Sequence, residues 1–171
     1  RLAATATTVC FGGQLAWIGM VLTHPDFRGR GYARRLMEMS LEYVERRGVG
    51  YVKLDATDMG RPLYARLGFE DEQVVERWKR PPGGQFQAAV APYQPMPELD
   101  RAAFGADRSE VLERLGLFER ASLPGAGFAM CRPGRVAAYF GPCVARSAEA
   151  ARLLLEWFLA SHAHETAYWD V

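Results

Sequence analysis

A glycine-rich turn between an apolar run and a helical pattern is the part of this sequence best suited to bind an anion. Residues 17–22 have the length and the β-branched content of a buried strand. After a turn signal at residues 23–26, residues 28–33 contain two glycines, and apolar residues then recur at helical spacing from Ala33 to Val44. The first N–H groups of a helix lack partners and its dipole is positive there, so this arrangement predicts a site for a phosphate-type anion.

The order of residues in the turn excludes two common phosphate loops. A dinucleotide fingerprint G-x-G-x-x-G would need a third glycine where Arg34 stands, and no G-K-[ST] closes the turn as in a P-loop. The turn resembles the pyrophosphate loop of the GNAT acyltransferase superfamily, R/Q-x-x-G-x-G/A, at Arg28, Gly31 and Ala33. The resemblance implies that the diphosphate of coenzyme A is held by the whole loop: Arg28, Gly29, Arg30, Gly31, Tyr32 and Ala33.

A second GNAT-like signature lies further along the chain. The pattern L-Y-x-[KR]-x-G-F is met at Leu63, Tyr64, Arg66, Gly68 and Phe69, on a predicted short helix opened by Pro62. Two signatures in the family order make the chain similar to GNAT N-acetyltransferases. The resemblance implies an α/β fold with a mixed sheet and acetyl-CoA as the cofactor, with no metal.

The resemblance also implies roles for individual residues. An amine attacks the acetyl group directly, and the backbone of Met20, Val21 and Leu22 binds pantetheine where two strands splay. Tyr64 is the expected general acid for the departing thiolate, the alternative being a tyrosine that only packs.

A general base is less clearly marked. Asp55 follows a predicted parallel strand, where sites in such sheets gather, but Asp170 occupies the matching place in the second half, which favours a structural role. We expect Asp58 to cap the next helix and His24 to be a solvated loop residue, and the base could be water.

The domain organisation follows from the clearest linker, Pro-Pro-Gly-Gly at residues 81–84. We predict a GNAT domain over residues 1–80 that supplies the family order from its third strand onward, a linker over 81–85, and a second GNAT-like domain over 86–171. The first domain contains strands at residues 1–10, 15–22 and 51–55, the first two joined by a turn at 11–14, and one or two closing strands within residues 70–80. For the second we predict strands at residues 86–91, 117–123, 127–132, 135–145 and 168–171, and helices at 96–104, 111–115 and 147–160.

The second half repeats the first in outline. Residues 17–22 correspond to residues 139–144, and Leu54-Asp55 corresponds to Trp169-Asp170. In the second half, the loop at the position of the phosphate-binding turn is shorter, lacks glycine and contains Glu149. We therefore interpret the second domain as a degenerate copy that does not bind the cofactor.

Composition limits which partners, membrane segments and cysteine-based sites the chain can have. The chain has 171 residues and a net charge of +1, which argues against a nucleic-acid partner, and it has no apolar run of membrane-spanning length. Its cysteines are too few and scattered for a disulfide framework or a zinc site, and His162 and His164 are not spaced around a nucleophile. We therefore expect a cytoplasmic enzyme for a small-molecule primary amine, with a homodimer allowed. The alternative is a non-catalytic acyl-CoA-binding regulatory module.

Overall fold

The structure is a computed structural model that describes residues 2–87 and 89–171. The chain forms two compact units, divided between Val74 and Val75. The described part of the chain contains no helix that is both long and apolar enough to cross a membrane.

The first unit is a three-stranded sheet with two helices. The elements are β1 (Ala4–Phe11), β2 (Leu15–Thr23), a 3₁₀ turn (Pro25–Phe27), α1 (Tyr32–Arg46), β3 (Tyr51–Lys53) and α2 (Arg61–Arg66). Strands β1 and β2 form an antiparallel hairpin, and β3 returns parallel to β2 after the crossover helix α1. Positive φ at Gly12 makes the tight hairpin turn, and positive φ at Gly48 ends α1.

The core of this unit joins the strand, the crossover helix and the second signature helix. Ile18 of β2, Met37 of α1 and Tyr64 of α2 are buried together. The predicted amphipathic face of α1 therefore packs as expected, with Met37, Ser40 and Val44 buried.

The described residues of the second unit form a six-stranded sheet and three helices. The elements are β4 (Arg77–Arg80), β5 (Ala91–Pro92), α3 (Pro97–Phe104), α4 (Ser109–Leu115), β6 (Arg120–Leu123), β7 (Gly127–Arg132), β8 (Ala138–Ala145), α5 (Ala148–Ser161) and β9 (Ala167–Asp170). The strand order is β4-β9-β8-β7-β6-β5. Among these described strands only β8 and β9 are parallel, and helix α5 makes the crossover between them.

Strand β7 is buried on both faces and separates two apolar clusters. Phe128 and Met130 pack with Leu112 of α4. On the other face, Cys131 packs with Phe158 of α5. Alternate side chains of a strand point to opposite faces, which accounts for the continuous apolar character of this segment.

The repeat predicted between the halves is present in the strand register. Trp17 of β2 lies opposite Lys53, and Tyr139 of β8 lies opposite Tyr168. This register places Asp55 and Asp170 at equivalent positions. The antiparallel pairs β1–β2 and β7–β8 are also irregular at equivalent points, at Met20 in the first unit and at the cis Gly141-Pro142 bond in the second.

The structure differs from the predicted boundaries on both sides of the linker. One closing strand forms within residues 70–80, β4, and it pairs with β9, so residues 77–80 lie in the second unit rather than in the predicted first domain. A bidentate pair between Arg77 and Asp170 joins these strands at 2.7 Å, a long-range contact that local sequence does not reveal. Of the strand predicted over residues 86–91, the described part forms a strand only at Ala91–Pro92. Residue 88 of that predicted strand and residue 1 of the first predicted strand lie outside the described residues.

A buried ion pair links α3 to the start of α4. Asp100 is 3 % exposed, and Arg108 donates to both of its carboxylate oxygens at 2.7–3.2 Å. Replacing Arg108 by methionine leaves that carboxylate buried without its cation, and we expect the second unit to lose about 3–5 kcal/mol of stability. Chemical denaturation measures the loss. The control is Arg101→Met, whose pair with the exposed Asp107 is solvated, and a loss as large there would contradict the explanation.

Candidate functional site

The turn between β2 and α1 has the backbone geometry of an anion site. Gly29 and Gly31 both have positive φ, +72° and +78°. Gly31 is the N-cap of α1. Among the residues that the structure describes, no side chain forms a hydrogen bond that caps the helix, and its first turn contains no acidic residue. The first amide groups of α1 therefore point out of the helix end without an internal acceptor. A Cβ at either glycine would meet nothing within 4 Å, so there is space beside the backbone for a ligand.

Side chains around the turn add positive charge and fix its entry. Arg28 and Arg30 are both exposed. Arg28 Nε donates to the Thr23 carbonyl oxygen at 3.4 Å, and the Arg30 guanidinium lies over the ring of Phe27. His24, expected to be only solvated, instead caps the 3₁₀ turn by accepting from the Asp26 N–H.

The second unit presents the opposite arrangement at its equivalent helix. Ser147 is the N-cap of α5, and its hydroxyl accepts from the Ala150 N–H at 3.2 Å. Glu149 lies in the first turn, paired with Arg152 at 2.7 Å. A hydroxyl and a carboxylate of the chain itself thus occupy the place where the first unit has glycine and open backbone.

Strand β2 runs past its parallel partner. The described pairing of β2 with β3 covers Leu15 to Trp17, and the later residues of β2 pair only with β1. Met20 has a positive φ of 51° and is 62 % exposed, and Leu22 is also exposed. Thr5 Oγ1 donates to the Met20 carbonyl oxygen at 2.9 Å, which leaves that oxygen one further lone pair.

Tyr64 is buried on α2 beside the strand that leads to the turn. It is 8 % exposed, packs with Ile18 and Met37, and makes an edge contact with the ring of Phe69 at 6.2 Å. Burial raises the pKa of the Tyr64 hydroxyl above its usual value, so the group is protonated at neutral pH. A packing role and a proton-donating role are both compatible with this position.

Sequence reasoning missed the glycine that positions this tyrosine. A Cβ built on Gly60 would lie 2.8 Å from Cε2 and 3.2 Å from the hydroxyl oxygen of Tyr64. Gly60 is also the N-cap of α2, and its N–H donates to Thr57 Oγ1 at 3.3 Å. The expectation that Asp58 caps this helix was therefore wrong, because Gly60 is the N-cap and no side chain of the described residues caps α2.

Replacing Gly60 by alanine tests this contact. The added methyl group must displace the ring of a buried tyrosine, so we expect a loss of about 1–3 kcal/mol in stability, as for other overpacked sites. Thermal or urea unfolding measures it. Gly50→Ala is the matched control because a Cβ there meets only ordinary contacts, the nearest at 3.6 Å. Equal stability of Gly60→Ala and the native chain would show that the ring is not confined.

Asp55 lies just beyond the end of β3, and its side chain is exposed. Its counterpart Asp170 is paired with Arg77, which holds the pKa of the Asp170 carboxyl below its usual value. The equivalent position in the second unit thus has a structural role.

The cysteines and histidines of the second unit are brought closer than their spacing suggests. Cys131 and His162 are both buried, and Cys131 Sγ lies 3.5 Å from His162 Nε2. The spacing of these residues in the sequence did not predict this contact, which forms because β7 and the end of α5 meet in the fold. No local motif signals this contact.

Comparisons with known proteins agree with this geometry. Over residues 2–69 the chain matches the model of the "Acetyltransferase (GNAT) family", and over residues 96–171 that of an "Acetyltransferase (GNAT) domain". It is 39 % identical over 70 residues to the uncharacterised N-acetyltransferase MJ1207 of Methanocaldococcus jannaschii, covering 39 % of this chain and 31 % of the relative. It is 25 % identical over 161 residues to the uncharacterised N-acetyltransferase YitH of Bacillus subtilis, covering 84 % of this chain and 56 % of that protein.

Solved structures show the same fold. A proposed acetyltransferase from Pyrococcus horikoshii superposes with a TM-score of 0.80 at 25 % identity, over 99 % of this chain and 59 % of its own. Another, from Thermoplasma acidophilum, has a TM-score of 0.62 at 13 % identity, over 99 % of this chain and 65 % of its own. The chain thus spans less than two thirds of the length of each of these relatives. The two family matches together cover most of the sequence, and the chain belongs to the GNAT acetyltransferase superfamily, with two GNAT-like regions in tandem.

Proposed function

We propose that the first unit is an acetyl-CoA-dependent N-acetyltransferase that transfers an acetyl group to the primary amine of a small molecule by direct attack. The observation that carries the proposal is the uncapped start of α1, entered through two glycines of positive φ. The free cysteines of the described chain suit a reducing compartment, and we place the enzyme in the cytoplasm.

The residues of the turn fit the diphosphate of coenzyme A. The first N–H groups of α1 offer donors, the helix dipole favours negative charge, and Arg28 and Arg30 add exposed cations. Gly29 and Gly31 let the backbone approach a phosphate without a side chain between them. These six residues, Arg28 to Ala33, would hold the diphosphate, and Tyr32 and Ala33 would do so through their amides.

The exposed part of β2 would hold the adjoining arm of the cofactor. Beyond Trp17 the strand has no described partner on its β3 side, so Met20, Val21 and Leu22 can offer backbone groups to pantetheine. Bound acetyl-CoA would supply an activated thioester. The same backbone groups would then stabilise negative charge on the carbonyl oxygen.

Tyr64 would hold the proton for the sulfur of the leaving thiolate. Its hydroxyl is protonated at neutral pH because burial raises its pKa. Asp55 is the candidate that would take a proton from the attacking amine nitrogen. The amine must be neutral to attack, and a carboxylate at the end of a parallel strand lies where such sites gather.

Thiol release from acetyl-CoA tests the proposal against a panel of small primary amines. We expect one amine class to release thiol and to gain an acetyl group, detected by mass spectrometry. Tight CoA binding without release by any amine would favour the regulatory acyl-CoA-binding module instead. Secondary amines of similar size serve as controls for the acceptor class.

A further inference from the structure

We propose that the second unit binds a zinc ion through Cys131, His162 and Glu119. One ligand atom from each of these residues lies within 4.8 Å of the other two. All three residues belong to the second unit, and the site does not depend on the proposed transferase activity.

The distances between the ligand atoms match a tetrahedral ion. With Zn–S of about 2.3 Å and Zn–N of about 2.0–2.1 Å, tetrahedral coordination separates sulfur from nitrogen by about 3.6 Å. The observed separation of Cys131 Sγ from His162 Nε2 is 3.5 Å. A carboxylate oxygen at about 2.1 Å from the ion would lie about 3.4 Å from the same nitrogen, and Glu119 Oε2 lies 3.6 Å from it.

A second carboxylate orients the imidazole. Glu165 Oε1 lies 2.8 Å from His162 Nδ1. With Nδ1 donating to this carboxylate, a neutral imidazole would present the lone pair of Nε2 toward Cys131 and Glu119. A metal-binding histidine typically has such a carboxylate on its other nitrogen.

The backbone holds the three ligands rigidly. The Cys131 N–H donates to the Glu119 carbonyl oxygen at 2.9 Å, which fixes these two residues side by side. His162 is the C-cap of α5, and its own carbonyl oxygen accepts from Arg80 Nη2 at 3.0 Å. The ligands therefore come from β7, from the end of α5 and from the connection between α4 and β6.

The local electrostatic field favours a cation. His162 lies at the C-terminal end of α5, where the helix dipole is negative. Glu119 and Glu165 both place a carboxylate oxygen beside the His162 ring, which adds negative charge around the cluster.

Metal binding would explain why a buried thiol lies beside a histidine and a glutamate. Cys131 is 2 % exposed, so it is poorly placed to attack a substrate as the nucleophile of a Cys-His-Glu set. On coordination the S–H bond is replaced by a bond from sulfur to zinc, and the proton passes to solvent. Mixed sulfur, nitrogen and oxygen ligands suit Zn²⁺, with solvent as the fourth ligand beside the exposed Glu119.

Titration of the full chain with Co²⁺, followed by competition with Zn²⁺, tests the site. We expect a thiolate-to-cobalt absorption band that saturates at one ion per chain and is abolished by Zn²⁺. Cys131→Ser should lose the band, whereas Cys143→Ser, a control at a half-buried thiol of β8, should keep it.

Two further variants keep the result interpretable if Cys131→Ser folds poorly. Glu165→Gln should weaken metal affinity about 10- to 100-fold, as loss of an orienting carboxylate does, and the more exposed Glu119→Gln should also weaken it. The absence of a cobalt band in the folded native chain would overturn the proposal. An unchanged band in Cys131→Ser, or unchanged affinity in both glutamine variants, would do so as well.

Discussion

Replacing Tyr64 by phenylalanine is expected to lower kcat by about 10²- to 10⁴-fold, the usual contribution of a positioned general acid. The substitution removes only the hydroxyl and keeps the ring that packs with Ile18 and Met37. Stability and CoA binding should therefore change little, while the chemical step slows. Steady-state kinetics with the identified amine, together with a thermal unfolding curve, separate these effects.

The matched control for this change is Tyr51→Phe. Tyr51 lies on β3 and is largely exposed, so loss of its hydroxyl removes nothing that the chemistry needs. An unchanged kcat in Tyr64→Phe would show that Tyr64 is a packing residue of the core. The proton would then come from another group, and the second GNAT signature would describe a fold element only.

Replacing Gly31 by leucine is expected to abolish stabilisation of the protein by CoA. Gly31 has a φ of +78°, so a side chain there costs about 1–2 kcal/mol in backbone strain. It would also occupy the space beside the first amides of α1. At a CoA concentration 100 times the dissociation constant, the native chain should gain about 2.7 kcal/mol, and the variant should gain nothing.

Gly48→Leu is the control that separates strain from ligand binding. Gly48 follows the other end of the same helix, has a φ of +65°, and likewise has no atom within 4 Å of an added Cβ. Both variants should lose similar stability without ligand, and only Gly48→Leu should respond to CoA. A full CoA response in Gly31→Leu would mean that the turn does not hold the cofactor.

Local patterns in the sequence were sufficient to predict the strand, turn and helix around the candidate site. The apolar run, the two glycines and the helical period of α1 each depend on neighbouring residues, and β2, Gly31 and α1 lie where those patterns place them. The repeat between the halves was also predictable, because apolar strand residues and an aspartate recur in the same order in both halves, and the strand registers agree with that order.

Contacts between distant residues were not predictable in the same way. From its position in the sequence, β4 resembles a closing strand of the first domain, but it pairs with β9. The bond from Arg77 to Asp170 in this pair joins residues that are 93 positions apart in the sequence. The approach of Cys131 to His162 similarly depends on the packing of α5 against β7. Neither partner carries a local motif, so cysteine counting alone argued against a metal site.

The two units differ most in whether the first amides of the crossover helix are free to bind an anion. Backbone amide exchange with and without CoA measures it residue by residue. We expect protection at the start of α1, from Gly31 to Arg34, and unchanged exchange at the start of α5, where Ser147 already caps the helix. Protection at α5, or its absence at α1 under saturating CoA, would show that the start of α1 is not the cofactor site.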